Sequence, residues 1–273
     1  MANFLREMKS YYSPKETTAQ FAASGIYKSK LPLSKFCLLA TLGGVFIAFG
    51  GFLSVIIAGG MPGVGAENPG LIKFIAGAAF PVGLIMVSVT GADLFTSDCA
   101  ALAYPALQKQ IKISTFVKIL ILSYLFNGIG AQLVAGLLSS GLGYFDKEPW
   151  QSYLHHYSEA KVNQDFLKVF IKGIGANWLV CLGMWMGYAS KSIEGKCIGI
   201  WIPVMLFVTL GYEHSIANLF FIPAAIYSGA DIMWSDFILQ NLLPATLGNL
   251  VGGSLLVGCV YWFLYLKEEN TAH

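Results

Sequence analysis

Six long apolar runs separated by short polar connections dominate the hydropathy pattern, approximately Leu33 to Ala58, Leu71 to Pro105, Ile113 to Leu142, Phe166 to Ala189, Cys197 to Tyr227 and Phe237 to Leu266. About 20 helical residues rise roughly 30 Å, the thickness of a bilayer's hydrocarbon core, so each run is long enough for a membrane span. The second and fifth runs are longer than a bilayer needs, and each carries polar residues in its middle. Ahead of the first run, Ser13-Pro14-Lys15-Glu16 reads as a helix start, with Ser13 as cap, Pro14 at the first position and Glu16 reaching back to the cap amide. This predicts a helix from Pro14 to about Ser29 on the membrane face, serving as a solvated amphipathic cover or as a gate.

Spans two and five are predicted to be helix, loop, helix. An ionisable residue in mid-membrane costs at least about 2.5 to 3.5 kcal/mol on insertion scales and normally faces an interior cavity. Asp93 sits in the second span and Glu213 with His214 in the fifth, each just after a glycine, Gly91 or Gly211. Either glycine can take the left-handed conformation that ends a helix. Thr96 or Ser97 in one copy and Ser215 in the other are placed to cap a new half-helix. Backbone freed by a break is tolerated at membrane depth only when packed in protein or lining a water-containing cavity, so the breaks predict a pathway. Half-helix amino termini point free N–H groups at its centre, which suits an anion. Asp93 and Glu213 are expected to accept backbone N–H bonds that hold the loops. His214, the only histidine in a span, can carry or lend a proton near neutral pH and is expected to face the solute.

Composition narrows the class. With 56% apolar and 12% charged residues, lipid is the solvent for most of this chain, and a net charge of +2 offers nothing for nucleic acid. The segment 1–32 is mostly polar and basic, so no cleaved signal peptide is expected; 33–266 forms the membrane domain and 267–273 a tail. Basic residues concentrate in the amino terminus, the second and fourth loops and the carboxyl end, as Arg6, Lys9, Lys15, Lys28, Lys30, Lys35, Lys109, Lys112, Lys118, Lys191, Lys196 and Lys267. The opposite side holds Lys73, Lys147, Lys161, Lys168 and Lys172, which places both termini in the cytoplasm of a cell (inner or plasma) membrane. The five cysteines lie in or beside apolar runs without paired spacing and read as packing residues; neither a metal nor a cofactor is expected. Clusters such as Gly43-Gly44 and Gly248/Gly252/Gly253 read as faces for close helix packing.

Sliding the second half over the first by about 120 positions superposes Gly91-Ala92-Asp93 on Gly211-Tyr212-Glu213 and brings Asn127 near Asn249, the signature of an inverted 3+3 repeat. The segments GADLFTS from Gly91, GANWLVCLGMW from Gly175, GYEHSIAN from Gly211 and NLLPATLGNLVGG from Asn241 resemble, in order, the signature segments of the formate/nitrite transporter family. That resemblance covers about Ser13 to Leu266. It implies an all-α integral membrane protein with an aquaporin-like fold of six transmembrane helices, the second and fifth broken, assembled as a homopentamer with one pore per subunit.

Carried over residue by residue, the resemblance makes Leu84 and Phe207 the apolar constrictions and Phe80 an aromatic at the outer mouth. Phe95 and Thr96 match the inner loop, and His214 and Asn177 the polar centre. Lys161 matches a lysine of the outer vestibule, with Glu213 and Asn218 its partners. From the residues alone, Leu84, Phe80 and Phe207 also fit plain packing, Asn177 an interhelical hydrogen bond and Lys161 a solvated loop charge. The implied function is passage of a small monovalent anion of a weak acid, formate first, with nitrite or hydrosulfide as alternatives, protonated near His214 after Lys161 has concentrated it. An aquaporin-like pore for neutral solutes shares the architecture, although paired Asn-Pro-Ala loops are missing. An intramembrane enzyme built on Glu213 and His214 lacks a nucleophile with a base at useful spacing.

Overall fold

The computed structural model describes residues 10–267; Arg6, Lys9, His273 and most of the expected tail lie outside them. Helix α1 (Pro14–Ser29) begins with the expected capping box, Ser13 N–H donating to Glu16 at 2.9 Å and Glu16 N–H to the Ser13 hydroxyl at 3.4 Å. Phe21 of α1 is buried, stacking on Tyr188 at 5.1 Å and meeting Tyr104 edge-on, so α1 is packed into the core.

Five helices are long and apolar enough to cross a bilayer: α2 (Leu33–Gly59), α3 (Pro69–Thr90), α5 (Ile113–Leu142), α7 (Phe166–Ala189) and α10 (Trp234–Tyr265). Between α3 and α5 lies the seven-residue α4 (Phe95–Ala101). The fifth expected span is delivered as two shorter pieces, α8 (Ile193–Thr209) and α9 (Ser215–Tyr227). The connection before α7, where Lys161 could have been a solvated loop charge, is helix α6 (Trp150–Val162).

Both breaks form where the glycines sit. Gly91 has φ 78° and Gly211 φ 70°, the left-handed region that ends a helix cheaply only without a Cβ. Close packing of α2 against the first break explains another glycine pair: a Cβ on Gly43 would lie 1.8 Å from the Asp93 carbonyl oxygen, and one on Gly44 1.9 Å from that of Asn127. Large apolar side chains remain exposed along the outer helix faces, including Ile113, Val117, Ile121, Leu125, Ile129, Leu133 and Leu137 of α5 at every fourth position. A belt of that kind is what lipid or another subunit covers. The chain is a multi-pass, all-helical membrane protein.

Candidate functional site

Two asparagines build the breaks. Phe95 N–H, the first amide of α4, donates to Asn127 Oδ1 at 2.8 Å, while Asn127 Nδ2 donates to the carbonyls of Ala40 and Asp93. At the second break Ser215 N–H donates to Asn249 Oδ1 at 2.8 Å, while Asn249 Nδ2 donates to the carbonyls of Gly173 and Glu213. Asp93 N–H reaches the Leu39 carbonyl and Glu213 N–H that of Lys172. One constant spacing separates Leu39 from Lys172, Ala40 from Gly173 and Lys28 from Lys161, so the match between halves extends beyond the breaks to the helices ahead of them.

This arrangement corrects three expectations. The half-helices begin at Phe95 and Ser215, so Thr96 and Ser97 fall inside the first turn; Asn127 and Asn249 of other helices accept from the first amides, and the local cap of α9 is the His214 side chain. Ser97 Oγ instead donates to the Leu94 carbonyl, and Ser215 Oγ has no hydrogen-bond partner. The leading amides are consequently not all free at the centre. Asp93 and Glu213 are held by side chains rather than by backbone N–H groups, because the asparagines have taken that work. Each carboxylate meets a lysine from the helix preceding its half: Lys28 lies 2.8 Å from Asp93, and Lys161 2.9 Å from Glu213. Burial opposes the charge on both ammonium groups, but the facing carboxylates outweigh it and raise the pKa of each.

Lys161 is therefore neither a solvated loop charge nor a free attractor in the vestibule. It is buried, with Tyr157 and Phe221 beneath its ammonium at 5.0 and 6.0 Å, and it is committed to Glu213. Glu213 also accepts from Asn218 at 2.8 Å, Asn241 at 3.2 Å and Gln164 at 3.2 Å, and Gln164 in turn accepts from Lys172.

His214 occupies the N-cap of α9 and joins the two breaks. Its Nδ1 accepts the Ala217 N–H at 3.0 Å, and its Nε2 lies 3.1 Å from Thr96 Oγ1. A backbone amide can only donate, so Nδ1 carries no proton; the ring is neutral with its proton on Nε2, facing Thr96. Phe207 stacks on the imidazole at 5.7 Å, and Phe80 stands edge-on to Phe207 at 5.8 Å. These residues, with Lys161, Tyr157, Asn218 and Phe221, enclose a cavity with about 10 Å³ open to the centre of a water molecule, room for roughly one water. Tyr157, Val208 and Phe221 also line a second, largely apolar cavity of about 880 Å³.

Phe80, Phe207, His214, Lys161 and Asn218 thus line this cavity, with Thr96 and Glu213 bonded to lining residues from outside it, whereas others predicted for the pathway do not face it. Leu84 is buried a turn beyond Phe80. Phe95 turns toward Tyr124 at 5.0 Å, in a groove between α5 and α10. Asn177 donates to the Asn249 carbonyl at 2.6 Å and accepts from Cys181, which makes it an interhelical tie. Asp93 lies on the α1 side with Lys28 and Ser123. Sequence reasoning missed the capping role of Asn127 and Asn249, although their near-superposition in the two halves was the signal; it missed Gln164, Lys28 and Asp98, which no local motif marks, and gave no role to Asn241, which opens the NLLPATLGNLVGG segment.

The formate/nitrite transporter family model matches residues 15–263. A probable formate transporter of Methanothermobacter thermautotrophicus is 39% identical over 273 residues, covering 95% of this chain and 99% of the relative. An ion channel of the same family superposes with a TM-score of 0.83 at 27% identity, over 91% of this chain and 98% of the neighbour. A pentameric formate channel with formate bound gives 0.74 at 30% identity, over 86% and 98%. The chain belongs to the formate/nitrite transporter family.

Proposed function

We propose that this protein passes formate across a cell membrane as one pore per subunit of a homopentamer, through six spans arranged as an inverted 3+3 repeat with both termini cytoplasmic. The observation that carries the reading is the Thr96–His214 contact, which ties the two breaks together directly behind the Phe80–Phe207 pair. The recurrence of asparagine cap, acid and lysine in both halves supports the repeat, and the bound formate and pentameric assembly of the structural neighbour support the substrate and the oligomer.

A bare carboxylate sheds its hydration to pass two phenyl rings, a Born penalty of many kcal/mol that the neutral acid escapes. The Lys161–Glu213 pair is neutral as a whole, so it shapes the vestibule more than it concentrates anions. His214 offers Nε2–H as a hydrogen-bond donor to a carboxylate oxygen. Protonating the ring would place a proton on Nδ1 against the Ala217 N–H, at the cost of the α9 cap. In this mechanism His214 orients and stabilises the anion, and the proton that neutralises it comes through water. Labelled formate uptake into liposomes in competition with nitrite, hydrosulfide and lactate tests the substrate: formate is expected to compete best, and a preference for nitrite or hydrosulfide would replace it. Osmotic swelling without formate uptake would favour the neutral-solute pore.

A further inference from the structure

We propose that Asp93 and Asp98 bind one proton between them, forming a buried proton site that Lys28 of α1 closes against the first break. The cluster contains two carboxyl groups and one ammonium. Lys28 Nζ lies 2.8 Å from Asp93 Oδ1 and donates a short hydrogen bond to Asp98 Oδ1, and Ser123 Oγ donates to Asp93 Oδ2 at 2.6 Å. Both acids are at most 1% exposed. Asp98 Oδ2 is buried and receives no hydrogen bond, and Asp93 Oδ1 has only the Lys28 ammonium beside it, so both carboxyl groups converge on that one cation. Two buried carboxylates that share a single ammonium do not both ionise. One proton removes the excess charge and supplies the missing donor.

The second half shows the same device with its charges balanced. Glu213 stands where Asp93 stands, Lys161 where Lys28 stands, and Asn218, five residues after Glu213, occupies the place of Asp98. Asn218 Nδ2 donates to Glu213 Oε2 at 2.8 Å, with Asn241 adding a further amide donor. One ammonium there faces one carboxylate. Asp98 becomes the donor that Asn218 already is only when it carries a proton. Among the described residues, the other ionisable neighbours are the Tyr188 phenol, the Cys99 thiol and the Cys181 thiol, none of them a cation. Lys118 of α5 shares with Lys28 a cavity of about 310 Å³ that gives protons a route to the site. The proton is then part of what holds α1 to the break, independently of which anion crosses.

Infrared spectroscopy of the purified full chain at pH 7 reads the site directly through the protonated-carboxyl C=O stretch. We expect one such band in the wild type and its loss in Asp98→Asn, which copies the chemistry of the second half and is expected to fold. In Lys28→Met, where no ammonium offsets either acid, the band is expected to rise about twofold. A wild type without the band, an unchanged band in Asp98→Asn, or an unchanged or weaker one in Lys28→Met would overturn the proposal.

Discussion

Asn127 and Asn249 each satisfy three backbone groups at fully buried positions, where bulk solvent cannot take their place. An unpaired buried polar group costs about 1 to 3 kcal/mol, so Asn127→Ala or Asn249→Ala is expected to lower thermal stability sharply. Asn→Asp should do the same, because a carboxylate cannot donate to the two carbonyls; unfolding followed by intrinsic tryptophan fluorescence checks both. Thr96→Val is nearly isosteric and removes only the partner of His214 Nε2. It is expected to cost about 1 to 3 kcal/mol, the penalty of one unpaired buried donor and less than either asparagine variant, while changing formate flux, which flux and melting measured on the same preparation would reveal.

At the scale of elements, the breaks depend on how closely α2 approaches them. With a Cβ on Gly44 only 1.9 Å from the Asn127 carbonyl oxygen, Gly44→Ala requires the backbone of α2 or α5 to move, and we expect loss of folded yield. Gly128, where an added Cβ would meet only Leu219 at 3.7 Å, should accept alanine; equal yields of the two variants in size-exclusion profiles would contradict the packing described. The elements themselves were legible in the sequence. Apolar run length gave the five long helices, the Gly-acid pairs gave both breaks, and Ser13 with Glu16 gave the start of α1. Less legible was what holds the breaks. The expected caps were local hydroxyls, but the first amides are met by Asn127 of α5 and Asn249 of α10, far along the chain, and the local cap of α9 is an imidazole. Tertiary hydrogen bonds of that kind leave no spacing rule, and only the near-coincidence of Asn127 and Asn249 in the repeat hinted at them. Lys161 read as a loop charge because α6 has no strong helical periodicity and its partner Glu213 is a distant residue.

For the molecule as a whole, the apolar stripe along α5 and the groove formed by Phe95, Phe116, Leu120, Tyr124 and Leu250 are surfaces that a single chain leaves uncovered. We expect the detergent-solubilised protein to run as five chains by native mass spectrometry, and a monomer there would contradict the proposed assembly. The central claim is that formate crosses beside a neutral His214 acting as a hydrogen-bond donor behind Phe80 and Phe207. Labelled formate uptake into liposomes between pH 6 and 8 tests it with His214→Phe and His214→Asn. One hydrogen bond to a charged group is worth about 1.5 to 3 kcal/mol, so His214→Phe should lose roughly tenfold or more of the flux. His214→Asn, which keeps a donor and a capping oxygen, should fall between that variant and wild type with an unshifted pH profile. Wild-type rates and pH dependence in both variants would contradict the account.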